Sequence, residues 1–109
     1  MLRKVKRRYL ALKVDSASTV EPRELLDAVW GSVTKLFGEY GASKTGLMLV
    51  EYDVERRLAV LRVANAAVDM VRAALATVTK AGDGAVALHV VAVSGTIKAL
   101  YKKTKNRQN

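Results

Sequence analysis

The sequence has no cysteine and a single histidine, His89. Disulfide frameworks, cysteine-based zinc sites, iron–sulfur clusters and thiol nucleophiles are therefore excluded, and so is any multi-histidine metal site. Long apolar runs are also lacking. The longest, residues 85–93, is interrupted by His89 and has about half the length a membrane helix needs. The opening MLRKVKRRYL has no apolar core of a secretory signal, and no lipidation motif is present. These absences lead us to expect a cytoplasmic protein with no membrane partner. Half of the 109 residues are apolar, which fits one globular domain with a core of its own.

Acidic residues are missing from both ends. Residues 1–13 carry six basic groups and no acid, and residues 94–109 carry five more, again with no acid. The middle has eight basic and ten acidic groups, so the net +9 is a terminal property. Basic ends on a near-neutral body point to a polyanion, because Lys and Arg that neutralise phosphates release condensed counterions. The plainer alternative is a pair of solvated tails. The expected organisation is a single domain with a basic N-terminal arm (residues 1–7), an α/β sandwich body (8–98) and a basic C-terminal tail (99–109).

Residues 8–14 alternate, with Leu10, Leu12 and Val14 on one side, as in a half-buried strand. A helix is expected from Pro22, with Glu21 and Glu24 at its positive end. Its apolar stripe is Leu26, Val29, Trp30, Val33, Phe37 and Tyr40, and Gly41 is its expected left-handed cap. Residues 47–54 and 57–63 read as two strands around a tight turn at Glu55-Arg56, with Met48, Val50, Tyr52 and Val54 in one row and Glu51 and Asp53 facing solvent. A second helix is expected over 66–80, capped by Asn65. Residues 85–93 form a strand apolar on both faces, and 96–103 suit a short basic helix. The order β-α-β-β-α-β predicts an α+β, ferredoxin-like (RRM-like) sandwich: four antiparallel strands with two helices on one face.

That fold serves unrelated functions, so chemistry has to be argued from residues. The third strand, RLAVLRV, has neither the aromatics nor the glycine with which RNA-recognition domains stack bases. His89, within an apolar strand, reads as a structural histidine holding one hydrogen bond. Glu51 and Asp53 lack a third acid or a phosphate-cradling loop, so they read as surface charge. The glycines around Asp83 are turn glycines first. No catalytic constellation and no metal site is expected. Ser94, Gly95 and Thr96, just before Lys98, have two readings: a cap for the basic segment after them, or hydroxyls and amides that hold a phosphate.

Five tracts in order carry a resemblance: RYL at 8–10, LFGEYGA at 36–42, VLRV at 60–63, VRAAL at 71–75 and VSGTIK at 93–98. With them the chain resembles the ribonuclease P protein component 2 family, the small ribonuclease P/MRP protein subunit of archaea and eukaryotes. The resemblance implies a non-catalytic subunit that binds the catalytic RNA and supports removal of the 5′ leader from precursor tRNA by an endoribonuclease holoenzyme. It implies Mg²⁺ on the RNA and no cofactor on this chain. Its implied partners are ribonuclease P RNA, precursor tRNA, a TIM-barrel-like protein subunit and other ribonuclease P proteins. The alternatives are a small-molecule regulatory domain of the same fold and another structured-RNA-binding, ribosome-associated protein.

The candidate RNA-binding residues are Arg3, Lys4, Lys6, Arg7, Arg8, Ser94, Thr96, Lys98, Lys102, Lys103 and Lys105. Strands 57–63 and 85–93 are apolar in both rows, more than two helices on one face can cover. Leu61, Val63, Val91 and Val93 are therefore expected at a protein interface, unless the segment around Ile97, Leu100 and Tyr101 folds back over that face.

Overall fold

The computed structural model describes residues 6–107, with side chains described for 6–104. The elements run β1 (Arg7–Ser16), α1 (Pro22–Ser43), β2 (Met48–Asp53), β3 (Leu58–Ala64), α2 (Val68–Thr77), β4 (Lys80–Ala81), β5 (Gly84–Ser94) and α3 (Ile97–Arg107). The strands form one antiparallel sheet in the order β2-β3-β1-β5-β4. The expected α+β class holds, but the sheet has five strands, not four. The extra strand is two residues long and exists because Gly82, at φ 60°, closes a tight hairpin between Lys80–Ala81 and Gly84. The second helix, expected to run on to Lys80, stops instead at Thr77.

Alternation places Leu10, Leu12 and Val14 of β1, Ala59, Leu61 and Val63 of β3, and Val86 and Leu88 of β5 on one face. Leu25, Val29 and Val33 of α1 and Val71, Ala74 and Leu75 of α2 pack against them to make the main core. Pro22 starts α1 as expected, and the Glu24 carboxylate accepts the Glu21 N–H at 3.0 Å.

Three local expectations fail for identifiable reasons. Gly38, not Gly41, is the residue in positive-φ backbone (φ 75°, ψ 172°), and it interrupts α1. The apolar stripe therefore leaves the core before its end, and Phe37 and Tyr40 are 36% and 75% exposed. In β2 the pairing with β3 shifts between Leu49 and Glu51, so Leu49 and Tyr52 face the core while Val50 is exposed. His89 lies between inward-facing Leu88 and Val90, so it points outward and is exposed, opposite Lys13.

The second face is covered in part. Ala11, Val60 and Ala92 lie in register across β1, β3 and β5, and Leu100 of α3 packs into this row of small side chains, itself 0% exposed. Leu100, within the segment expected as a tail, thus packs on the sheet, and α3 runs through that segment to Arg107. Leu61 and Val63, at 0% exposure, are enclosed in the main core; Val93 packs against it, and Val91 lies in the small cluster around Leu100. The fold-back alternative is the arrangement found, and Leu61 and Val63 present no side chain to a partner.

The Tyr52 hydroxyl, carried inward by the shifted β2 register, donates to the Val20 carbonyl at 2.8 Å. Burial raises its pKa, with the Arg57 charge opposing and the Glu21 charge adding. A raised folded-state pKa means stability fully present below the ordinary tyrosine value of about 10 and lost as pH climbs from there through the folded value. Tyr52→Phe is expected to lower stability at neutral pH by about 1 kcal/mol. It should also flatten the decline in stability expected in denaturant titrations as pH rises above the ordinary tyrosine value of about 10; an unchanged decline would contradict this assignment.

Candidate nucleic-acid interface

β1 starts where β3 and β5 end, because both pair antiparallel with it: Arg7 pairs with Ala64, Arg8 with Val63 and Tyr9 with Ser94. This register gathers Lys6, Arg7, Arg8, Asn65, Gly95, Thr96 and the start of α3 at one end of the sheet. Arg8 Nε donates to Asn65 Oδ1 at 2.8 Å, and the Asn65 N–H donates to the Lys6 carbonyl at 2.8 Å. The Asn65 side chain, expected to cap α2, is thus used to hold Arg8, and a 3₁₀ turn over Asn65–Ala67 leads into the helix. On the other side, Arg8 Nη1 lies 3.3 Å from where a β-carbon on Gly95 would stand. Glycine there gives the guanidinium room beside the backbone that opens α3.

Thr96 is the N-cap of α3: its Oγ1 accepts the Ala99 N–H at 3.2 Å. Ser94 is buried, and its Oγ accepts the Thr96 N–H at 3.4 Å. The capping reading of this tract is therefore realised in the structure. Along α3, Ile97, Leu100 and Thr104 turn toward the sheet, whereas Lys98 and Lys102, four residues apart, are exposed. Lys103 Nζ donates to the Val93 carbonyl at 2.8 Å, and the Tyr101 hydroxyl donates to Glu51.

Lys6, Arg7, Arg8, Lys98, Lys102 and Lys103 are all exposed. Among the described residues the one ion pair is Arg56 with Asp53, at 3.9 Å, so none of these six cations is ion-paired. Six of the ten acids (Asp15, Glu21, Glu24, Asp53, Glu55 and Asp83) are carried instead at the opposite end, where β1 and β2 finish and α1 and β5 begin. There they line, in part, an open polar cleft of about 270 Å³ between Ser18, Glu24 and Asp83. Charge is uneven along the strands: cations without ion pairs gather at one end, whereas at the other Arg23, Arg56, Arg57 and Lys80 stand among the acids. Arg3 and Lys4, and the side chain of Lys105, lie outside the described residues.

Two residues at this end are not candidates on sequence grounds. Asn65 reads as a helix cap. Arg62, a charge inside the apolar VLRV tract, sits in one cross-strand row with Met48 and Tyr9 on the α3 face. Its Nε is buried with no hydrogen-bond partner among the described residues, while an Nη contacts Met48 Sδ at 3.3 Å. A lone charge in an otherwise apolar strand is the one signal the sequence offers for it.

The Rpp14/Pop5 family model matches residues 8–105, nearly all of the described chain. This chain belongs to the Rpp14/Pop5 family. Among curated relatives, ribonuclease P protein component 2 of Methanobrevibacter smithii is 34% identical over 87% of this chain and 85% of its own length. The protein of the same name from Pyrococcus furiosus is 31% identical over 90% of this chain and 82% of its own. A chain in the cryo-EM structure of yeast ribonuclease MRP superposes with a TM-score of 0.66 at 15% identity, covering 99% of this chain and 95% of that one. At that identity the likeness shows a shared fold. Both halves of the basic end, Arg8 and the segment 94–103, lie inside the family match.

Proposed function

We propose that this chain is a non-catalytic protein subunit of ribonuclease P, acting in the cytoplasm, that binds the catalytic RNA and supports removal of the 5′ leader from precursor tRNA. Family membership over residues 8–105 carries the assignment. The unpaired cations gathered beside the α3 cap supply what phosphate binding requires: positive charge, with backbone and hydroxyl donors nearby. The absence of stacking aromatics on β3 fits a folded RNA read through its shape and phosphates. The cleavage chemistry then belongs to the RNA and its Mg²⁺.

The fold reads as ferredoxin-like, with β4 a short addition to one edge, since β2-β3-β1-β5 with α1 and α2 on one face is the order that β-α-β-β-α-β connections produce. A TIM-barrel-like subunit is the protein partner the family resemblance implies, and exposed Leu36, Phe37 and Tyr40 on α1 offer apolar surface for it.

Reconstitution tests the reading. The purified chain is expected to leave precursor tRNA intact, yet to increase Mg²⁺-dependent 5′ cleavage when added to ribonuclease P RNA and the other protein subunits. Cleavage by the chain alone, tracking the protein through purification, would refute a non-catalytic role. No gain on adding it to the RNA and its partners would refute the subunit assignment.

A further inference from the structure

α3 is an unstable helix by its own composition. Its 11 residues carry five Lys or Arg and no acid, and no acidic residue occupies its first turn, where Lys98 stands instead. The positive end of the helix dipole disfavours a cation there, and like charges four residues apart, such as Lys98 and Lys102, repel. Isolated helices shorter than about 12–15 residues are marginal in water even with favourable sequences. What keeps α3 folded is its seat on the sheet. That seat is narrow: Leu100 in the row Val60–Ala11–Ala92, the Thr96 cap, the Lys103 bond to Val93 and the Tyr101 bond to Glu51. The same docking leaves Lys98 and Lys102 exposed, in a helix that begins two residues after Gly95, where Arg8 Nη1 lies close.

We propose that α3 is a strap whose docking and RNA binding stabilise each other: its outward lysine row meets the phosphodiester backbone only while Leu100 holds the helix on the sheet. The inference rests on the RNA-binding reading above and adds to it a coupling. Phosphates at Lys98 and Lys102 remove the repulsion that works against the helix, and the docked helix presents those cations in fixed register with Arg7 and Arg8. Leu100 is then a positioning residue for RNA although, fully buried, it touches no phosphate.

Linkage makes the proposal quantitative. The factor by which docking tightens RNA binding must equal the factor by which RNA suppresses undocking, and we expect about tenfold, within the usual range for coupled sites. The experiment is amide hydrogen exchange on the full chain with and without a folded RNA hairpin as the polyanion probe. Saturating RNA should slow exchange across residues 97–104 about tenfold, beyond any change in β1 or β3. Leu100→Ala should weaken hairpin binding by a comparable factor, and adding Lys98→Ala and Lys102→Ala to it should weaken binding less than the same pair does in the wild-type background.

Binding of the hairpin that leaves α3 exchange unchanged overturns the coupling while the RNA-binding reading stands. Failure of the wild-type chain to bind the hairpin at all overturns both, and is seen before any exchange is measured. Should Leu100→Ala loosen the whole body, wild-type exchange alone decides the matter.

Discussion

Affinity for RNA is expected to fall roughly 10³-fold when salt is raised from about 50 to about 200 mM, the dependence that about six phosphate contacts produce. Six exposed cations without an ion pair among the described residues are candidates for those contacts at and beside the α3 end of the sheet: Lys6, Arg7, Arg8, Lys98, Lys102 and Lys103. Arg7→Ala with Arg8→Ala should reduce the slope of log affinity against log salt by roughly 0.7–0.9 for each phosphate no longer neutralised. Arg23→Ala with Lys80→Ala provides the control, since those cations stand at the opposite, acid-rich end near Glu21, Glu24 and Asp83. Equal slopes for the two double variants would mean that net charge alone attracts the RNA and that the gathered end has no special role. A slope untouched by either would leave the basic residues as solvated surface.

Much of this architecture is written in periodicity. Leu10, Leu12 and Val14 alternate as a strand must, Val29 and Val33 fall four apart, and Pro22 marks a helix start that the structure reproduces. The features that escape are those decided by long-range pairing. The β2 register shift near Val50 depends on what β3 places opposite it, and the unbroken alternation of Met48, Val50, Tyr52 and Val54 gives no sign of it. Gly38 rather than Gly41 takes positive φ; both are glycines, and the neighbours of Gly41, Phe37 and Met70, are set by packing. The apolar run around His89 suggests an interior position, but its parity relative to Leu88 places it at the surface. At the site, the clustering of Arg7, Arg8 and Lys98 follows from strand order, which β-α-β-β-α-β already implies. Asn65 and Arg62 stay hidden because their roles depend on distant partners: Arg8, 57 residues from Asn65 in sequence, and Tyr9, across the strand from Arg62.

Leu61→Asp is expected to abolish the fold. Leu61 lies between Leu10 and Leu49 in register, fully enclosed beneath the helices. Truncating such a leucine to alanine costs about 2–5 kcal/mol. An unpaired carboxylate at the same place adds a desolvation penalty, and together they exceed what a domain with about 5–15 kcal/mol of total stability can lose. Val91→Asp stands in contrast. Val91 is half-buried in the small cluster of Ala11, Val60 and Leu100, on the other side of the sheet and at the point where the β1–β5 register shifts. A carboxylate there reaches solvent once α3 lifts, so the expected result is loss of α3 helicity with the main core intact. Circular dichroism and thermal melts separate the two: no cooperative transition for Leu61→Asp, and a lowered but cooperative transition for Val91→Asp. If both variants melted like the wild type, neither face would be packed as found. If Val91→Asp also lost all cooperativity, the cluster beneath α3 would belong to the folding core rather than to a detachable layer over it, and the RNA-coupled strap would lose its physical basis.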